Sequence, residues 1–299
     1  MIYFCADDYG MNDTVSKHIK ECIDKGAINT VSVFPNFDEI DLDGLVKDSD
    51  LRISLHLNLV EGKCMANTKE VSLIADENGN IKHTFMGLLK LSLLRRKEFE
   101  RQIEKEIRAQ VVYWKERLPE GRGFCIDSHQ HTHMIPAIFK VLLKVLKEEE
   151  IKVRHIRIPA EPLLPFIKAP SLYFTYSAVN LIKQWLLKFL WQINKPLAKK
   201  HKLPTALFIG ILFSGYMDEQ RVTKILPQYE RLAQERGCDI EVLFHPGYID
   251  TAVDDFGAKN VVFEHFYLSK NRKTEFDSVM RINQTEKALK KEVCKNALH

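Results

Sequence analysis

The chain has 299 residues, of which 45% are hydrophobic and 28% charged, a composition typical of a globular protein with a large core. Its net charge of +4, without any basic run interleaved with aromatic residues, argues against a nucleic-acid-binding protein. Six scattered cysteines without a CxxC pair argue against a zinc ribbon or a disulfide framework and favour a reducing cytoplasm. The N-terminus has no signal-peptide pattern, so we expect a cytoplasmic protein.

Short apolar runs typical of β-strands alternate along the chain with amphipathic segments typical of helices. The first helix has Asn12 or Asp13 as its expected N-cap and Gly26 as its stop. We expect strands over residues 2–5, 30–34, 53–59, 124–128, 154–158, 206–213 and 241–244, and further helices over residues 97–118, 136–147 and 219–236. The charged C-terminal residues, from about 275 onward, favour a helix on the outside. This alternation predicts an α/β fold with a parallel sheet, either open or closed into a barrel.

The run Ile53–Leu59 alternates strictly between apolar and polar side chains. Its apolar residues share one face, and Ser54, His56 and Asn58 share the other. In a closed barrel these faces are the helix-covered outside and the interior, so we expect His56 to point inward.

Polar side chains recur at the carboxyl ends of the predicted strands. They are Asp7 and Asp8 after the first strand, His56 near the end of the third, His129 after the fourth, Arg157 ending the fifth and His245 ending the last. Functional residues of parallel sheets gather at this edge, whether the sheet is open or closed. We therefore expect these side chains to share one site.

The segment Asp127–His133 reads Asp-Ser-His-Gln-His-Thr-His and holds three imidazoles within seven residues. In an extended segment alternate side chains point to one face, so His129, His131 and His133 would all face one cavity. Histidine is a common metal ligand and a common general acid or base. The alternative interpretation is a cluster of polar loop histidines.

A catalytic divalent ion needs about three protein ligands and an open position for water. Asp8, His56 and His129 supply one carboxylate and two imidazoles, which suit zinc, iron or another first-row ion and leave magnesium open. Asp7 would orient and deprotonate the bound water, and His245 would protonate a leaving amine from the opposite side. Separately, an Asp-Asp pair is often a turn and His-Pro-Gly often a loop. Together, these residues predict a metal-dependent hydrolase.

Five motifs follow one another along the chain: Ala6–Gly10, Leu55–Leu57, Asp127–His133, Arg157–Pro159 and Phe244–Tyr248. Together they resemble the YdjC family of carbohydrate deacetylases, which includes the chitooligosaccharide and the hopanoid-biosynthesis deacetylases. Residues 272–275 also resemble the C-terminal helix of that family, so the resemblance covers nearly the whole chain.

The resemblance implies a deformed (β/α) barrel with parallel strands, formed by residues 1–299 as a single domain. It implies metal-dependent removal of acetyl groups from N-acetylated amino sugars, either oligosaccharides or lipid-linked sugars. One divalent ion, zinc or magnesium, would be held by Asp8, His56 and His129, with Asp7 as the base and His245 as the acid. The residues expected to contact substrate are Tyr9, His131, His133 and Arg157. Alternatively, His131 and His133 would contact the metal ligands and hold them in place, and Arg157 would pair with Asp7.

Residues 163–203 depart from the soluble-substrate members of the family because they form a long, apolar helical insertion. Within Ala178–Ile193, 11 of 16 residues are apolar, and Lys183 and Lys188 interrupt the run, so it falls short of a membrane span. One interpretation packs the broad apolar face on the barrel. The other makes the segment a lid over the site, or an interfacial helix with its lysines near lipid headgroups.

Two other functions compete with the deacetylase. A metal-dependent phosphoesterase would need more metal ligands and a basic phosphate clamp, and a sugar-binding relative without catalysis would not need Asp7 and His245. We expect an N-acetylated sugar and no nucleic acid as binding partner. The sequence leaves open peripheral membrane contact through residues 178–200 and a homodimer.

Overall fold

The computed structural model describes residues 1–37, 40–249 and 265–282. Seven strands form one sheet in the order β5-β4-β3-β2-β1-β7-β6, and every neighbouring pair is parallel. The strands are β1 (Ile2–Tyr9), β2 (Thr30–Val33), β3 (Arg52–Leu57), β4 (Phe124–Ser128), β5 (Val153–Ile156), β6 (Leu207–Ile209) and β7 (Ile240–Phe244). The predicted parallel sheet is therefore confirmed.

Helices connect the strands and cover the outside of the sheet. They are α1 (Asp13–Asp24), α2 (Leu42–Val46), α3 (Phe85–Leu94), α4 (Arg96–Arg117), α5 (Pro136–Glu148), α6 (Leu164–Ile167), α7 (Ala178–Lys200), α8 (Glu219–Arg236) and α9, which spans residues 270–282. In the part of the chain that the structure describes, no helix is both long and apolar enough to cross a membrane.

The sheet curls into a half-barrel with a polar interior. The edge strand β5 approaches the segment that leads into the other edge strand, β6, where the Ile156 amide donates a 3.0 Å hydrogen bond to the Pro204 carbonyl. Ser54 and His56 of β3 point inward and are buried among charged groups, whereas Ile53 and Leu55 belong to the hydrophobic core. The alternation of β3 therefore has the predicted sense, and the architecture is a deformed α/β barrel.

Helix α1 agrees closely with its sequence signals. The Asn12 side chain accepts a 2.8 Å hydrogen bond from the Val15 amide, which satisfies one of the unpaired donors at the helix start. The residues buried on its inner face are Val15, Ile19, Cys22 and Ile23. The hydrophobic period and the cap specify the same helix.

Strand β6 is shorter than predicted because its continuation bonds elsewhere. The carboxylate of Glu161 accepts hydrogen bonds of 2.6–3.0 Å from the amides of Gly210, Ile211 and Leu212. These amides therefore cannot join a strand ladder. Gly210 also lies so close to β7 that a Cβ atom would come within 2.7 Å of the Leu243 Cβ.

Helix α7 buries polar side chains and leaves part of its apolar surface exposed. Its polar residues Asn180, Gln184 and Asn194 are buried. Its apolar residues Ile182 and Trp185 are 68% and 63% exposed. Because Leu187, Leu190 and Ala198 are buried in the core, the interpretation that packs the broad apolar face on the barrel holds for only part of that face.

Buried side-chain amides explain this orientation of α7. The Gln184 amide donates a 2.7 Å hydrogen bond to the Glu161 carbonyl, and that of Asn194 donates one of 2.8 Å to the Met134 carbonyl. Asn180 bonds the Ser214 carbonyl at 2.8 Å. Each amide satisfies a backbone carbonyl of a neighbouring segment, and two of the three bonds, those to Glu161 and Met134, are buried.

The C-terminal helix was predicted to lie outside, but its described part, α9, is anchored in the fold. Arg272 and Glu275 are fully buried and paired at 2.8 Å, and Ile282 packs in the core. Residues 283–299 lie outside the described part of the chain. The described cysteines are free: Cys5, Cys22, Cys64, Cys125 and Cys238.

Candidate active site

A bulge at the end of β1 brings two consecutive carboxylates to one site. In a regular strand Asp7 and Asp8 would point to opposite faces. The register between β1 and β2 shifts between Ala6 and Tyr9, and Asp8 has a left-handed backbone with φ of 74°. Aspartate tolerates this conformation better than most residues. As a result, Asp7 and Asp8 both line the same cavity.

Asp8, His56 and His129 form a compact donor cluster at the strand ends. The Asp8 Oδ1 atom lies 3.0 Å from His129 Nδ1 and 3.2 Å from His56 Nε2, and the two nitrogens are 3.3 Å apart. Neighbouring ligands around a first-row ion with bonds near 2.1 Å are separated by about 3.0–3.4 Å. All three residues are buried. The cluster therefore has the composition and spacing of a metal site.

Asp127 supports His56 from the barrel interior. Its Oδ1 atom lies 2.5 Å from His56 Nδ1, so that Nε2 faces Asp8 and His129. A carboxylate behind a ligating imidazole is the usual arrangement around protein metal sites. Burial disfavours the imidazolium, but the carboxylates of Asp7 and Asp127 outweigh it and raise the pKa of His56 to about 10. Burial likewise opposes ionisation of Asp8, but the facing His129 and His56 hold its pKa well below the usual value.

Arg157 holds Asp7 in place. Its guanidinium nitrogens lie 2.6 and 2.8 Å from the two carboxylate oxygens of Asp7, and its Nε donates a 2.5 Å hydrogen bond to Glu241. A third carboxylate, that of Asp127, lies 3.3 Å from an Arg157 guanidinium nitrogen. Burial opposes the guanidinium charge, but these three carboxylates outweigh it and raise the pKa of Arg157 further. The predicted pairing of Arg157 with Asp7 is confirmed, and it places Arg157 inside the barrel.

His245 lies across the cavity, at the end of β7. Its Nε2 is 3.9 Å from Asp8 Oδ2, and its Nδ1 is 3.7 Å from a carboxylate oxygen of Glu275. The same oxygen accepts a 2.7 Å hydrogen bond from the His245 amide. Burial opposes ionisation of Glu275, but Arg272 and His245 lower its pKa. Helix α9 therefore supplies a carboxylate that orients His245.

The three histidines of the Asp127–His133 motif do not share one orientation. The extended conformation expected for this segment is wrong, because β4 ends at Ser128 and Gln130 and His131 have left-handed backbones. His129 and His131 line the cavity. His133 instead hydrogen-bonds the Ser128 hydroxyl through Nδ1 and the Arg157 carbonyl through Nε2, at 2.5 and 2.8 Å.

The residues expected to contact substrate are therefore separated by the fold. His131 lies on the cavity wall, and its ring meets the edge of Phe208. His133 and Arg157 are buried behind the wall, and Tyr9 is buried in the hydrophobic core. Substrate contact by these four side chains stays a prediction. Of the four, only His131 is among the described residues that line the cavity.

The cavity over the donor cluster has a volume of about 530 Å³ and two chemically different parts. Its polar part consists of strand-end residues, including Asp7, Asp8 and His245. Its apolar part comes from α3 and α7, for example Met86 and Ile182. Cavities of this size hold small organic ligands.

The architecture and the donor cluster agree with a comparison against protein families, in which residues 1–290 match the family described as YdjC-like protein. The chain belongs to the YdjC-like protein family. The membership inferred from the five motifs is thereby confirmed.

Several relatives of this YdjC-like protein are named carbohydrate deacetylase. The one from Brevibacillus brevis is 28% identical over 251 residues, which cover 83% of this chain and 82% of that protein. The one from Clostridium beijerinckii is 28% identical over 179 residues, covering 59% and 68%. The match to the Danio rerio relative is 29% identical and covers 54% of this chain, which spans only half of that relative.

One solved structure supports the fold. It is an Enterococcus faecalis protein described as a candidate cellobiose-phosphate cleavage protein, and its similarity to this chain has a TM-score of 0.57 at 17% identity. The match covers 93% of this chain and 94% of that one. At this identity the likeness concerns the fold alone.

Sequence reasoning missed three residues around the site. Tyr267 is buried and its hydroxyl donates a hydrogen bond to Asp8 Oδ2. Asp127 stood within the recognised motif but received no role, and Glu241 is the lone charged residue in the apolar run of β7. A charged residue inside a buried strand is a usable signal because it needs a partner there. For Tyr267 we find no such signal in the sequence.

Proposed function

We propose that this YdjC-like protein is a metal-dependent hydrolase that removes acetyl groups from N-acetylated amino sugars. The observation that carries the proposal is the Asp8–His56–His129 cluster on a cavity floor that Asp7 and His245 also line. The names of the relatives support the same activity. The assignment depends only on residues of this chain, because the whole donor cluster lies within it.

Asp8, His56 and His129 would hold one divalent ion. Two imidazoles and one carboxylate suit zinc, and magnesium prefers oxygen ligands. When bound, such an ion polarises the amide carbonyl and acidifies a water molecule. Asp7 would take the proton of the attacking water, with its carboxylate oriented by Arg157. His245 would donate a proton to the leaving amine nitrogen, with its ring oriented by Glu275.

A phosphoesterase has less support than a deacetylase. Among the described residues that line the cavity, Lys183 is the single lysine or arginine. Arg157, the other cation near the site, is already engaged by Asp7 and Glu241. The described residues of the cavity wall therefore do not provide the several cations that would bind a phosphate group.

The proposal predicts acetate release from N-acetylated sugars after reconstitution with zinc or magnesium, with about one ion bound per chain. Asp7→Asn should keep the ion and lose about 10²–10⁴ in turnover, because general-base assistance is worth that much. Acetate release and metal content are measured on the same preparations. Near-normal turnover in the metal-loaded variant would remove Asp7 from the mechanism, and phosphate release in place of acetate would overturn the deacetylase.

Peripheral membrane contact through residues 178–200 belongs to this proposal, since the apolar side of α7 faces outward. The homodimer that the sequence leaves open stays a prediction.

A further inference from the structure

The outward face of α7 carries an apolar stripe over the middle of the helix. Trp185 and Phe189 are each 63% exposed, and Ile193 is 49% exposed. They follow at intervals of four residues, so they lie on one side of the helix. Scattered exposed apolar residues are ordinary on protein surfaces, but a continuous stripe with a tryptophan and a phenylalanine marks an interaction surface. We call Trp185, Phe189 and Ile193 the outer stripe.

The outer stripe is continuous with the rim of the cavity. Met86 of α3 and Val179 and Ile182 of α7 line the cavity and are each more than half exposed, which places them at its mouth. A sugar has little to gain from an apolar rim, because its hydroxyl groups need hydrogen-bond partners. An alkyl chain, in contrast, gains free energy for every methylene that it buries there.

The charge around α7 favours an anionic partner. Residues 162–217 contain seven lysines and no aspartate, glutamate or arginine, so this segment carries a net charge of +7. The whole chain carries +4, which leaves −3 for the remaining residues. The lysines Lys195, Lys199 and Lys200 at the end of α7 are exposed. An apolar helix face bordered by lysines is typical of helices that lie in the headgroup region of anionic membranes.

We infer that the outer stripe docks on an anionic lipid bilayer and that the substrate is an N-acetylated amino sugar carried on a lipid. The sugar would reach the strand-end site while its alkyl chain passes between α3 and α7 at the apolar rim. The inference rests on the proposed deacetylase function of the same cavity. It accounts for the exposed apolar residues of α7, because the medium that covers them is then lipid and not water.

Vesicle binding tests the docking surface. The whole protein should sediment with phosphatidylcholine vesicles that contain phosphatidylglycerol, and more weakly with vesicles of phosphatidylcholine alone. Replacing the outer stripe by Trp185→Ser, Phe189→Ser and Ile193→Ser should weaken binding by about tenfold or more. Lys188→Glu, Lys195→Glu and Lys199→Glu should weaken binding to the anionic vesicles by about fivefold for each lysine.

Matched controls separate this surface from general charge effects. Lys17→Glu, Lys47→Glu and Lys224→Glu remove exposed lysines from other helices or their ends and should leave vesicle binding within about twofold. The outer-stripe residues do not line the cavity, so that variant should keep the activity toward a water-soluble sugar. Equal vesicle binding by wild type and both triple variants would overturn the docking surface. A dimer that the serine variant dissociates, without vesicle binding, would assign the stripe to a second copy and also overturn it.

Two glycosides of N-acetylglucosamine, one with a methyl and one with a dodecyl group, test the substrate class. The KM for acetate release should fall by about fourfold for each methylene that the rim buries, with little change in kcat. Ile182→Ser should remove much of this preference. Equal KM values for both glycosides would overturn the lipid assignment and leave the deacetylase intact. No acetate from either one would instead contradict the proposed function.

Discussion

The backbone of Asp8 decides how two neighbouring aspartates take different tasks. Asp8 turns toward His56 and His129, whereas Asp7 remains in the interior and pairs with Arg157. Neighbouring side chains then fix the orientation of the donor-cluster residues, as Asp127 does for the imidazole of His56. At this scale the site consists of oriented pairs, and each pair can be tested by a single substitution.

We expect His56→Ala and His129→Ala to lose metal binding and activity while the protein stays folded. Both side chains lie among polar groups, so their removal does not open an apolar cavity. His131→Ala is the matched control, because His131 lines the same cavity outside the donor cluster and should keep the ion. Metal content and thermal unfolding are measured together. A full equivalent of metal in either alanine variant at position 56 or 129 would contradict the ligand assignment.

Glu161 should make stability depend on pH. Burial removes water from the Glu161 carboxylate and raises its pKa to about 7. The hydrogen bonds that this carboxylate accepts from three backbone amides do not offset the effect of burial. The folded state therefore binds this proton more tightly than the unfolded state. The corresponding stability is fully present below the unfolded pKa of about 4.5 and is lost as the pH rises through about 7.

The change should amount to about 3 kcal/mol of unfolding free energy between about pH 5 and about pH 8. Glu161→Gln cannot ionise and should remove this part of the pH dependence, whereas Glu230→Gln on the surface of α8 should keep it. Urea unfolding at both pH values measures the difference between each variant and the wild type. The same slope in Glu161→Gln as in the wild type would show that another group is responsible.

At the scale of elements, structure was predictable where the sequence has a regular hydrophobic period. It was not predictable in segments without such a period. The bounds of β4 and α8 agree with the predictions, and the strict alternation of β3 correctly placed His56 inside. Helix α3 was missed because its ten residues are almost uniformly apolar and show no helical period. His133 was misplaced because the left-handed turn at Gln130 depends on backbone geometry that residue types do not reveal.

The orientation of α7 could not be predicted from its hydrophobic pattern either. A hydrophobic face predicts a buried face only if water is the medium on the other side. In α7 the decisive contacts are specific amide hydrogen bonds to loop carbonyls, which no period encodes. The helix itself was predictable, and its rotation about its own axis was not.

These amides should therefore stabilise α7 more than its exposed apolar residues do. Gln184→Ala should lower the unfolding free energy by about 1–3 kcal/mol, because it leaves the Glu161 carbonyl buried without its donor. Gln192→Ala in the same helix is the matched control, since Gln192 is exposed and should change stability by less than about 0.5 kcal/mol. Chemical denaturation measures both. Equal losses for the two variants would contradict the inward role of Gln184.

At the scale of the whole molecule, the barrel interior is held by charges. Arg157 from the end of β5 bonds Asp7 of β1 and Glu241 of β7, and Glu241 also pairs with Arg52 of β3. Strands distant in the sheet order are thereby linked through its centre. Burial opposes ionisation of Glu241, but Arg157 and Arg52 hold its pKa well below the usual value.

Removing the central cation should affect the entire fold. Arg157→Met should lower the unfolding free energy by about 3–5 kcal/mol, because Asp7 and Glu241 would stay buried without their partner. Arg157→Lys should recover part of this loss, since it keeps the charge but not the paired hydrogen bonds. Denaturant unfolding compares the three proteins. A loss below about 1 kcal/mol in Arg157→Met would mean that the interior charges do not hold the barrel together.

The seam between β5 and β6 has a consequence for how such a fold diversifies. Strands β5 and β6 are the edges of the sheet, and a backbone hydrogen bond from Ile156 joins β5 to Pro204, in the segment that leads into β6. The long helical segment lies between these strands along the chain and belongs to no strand, so its length can change without breaking any strand ladder. Natural selection can therefore replace the cover of the cavity while the catalytic strand ends keep their positions. Under the proposed function, the strand ends would carry the chemistry and the helical segment would select the substrate, so the two would be inherited on separable pieces.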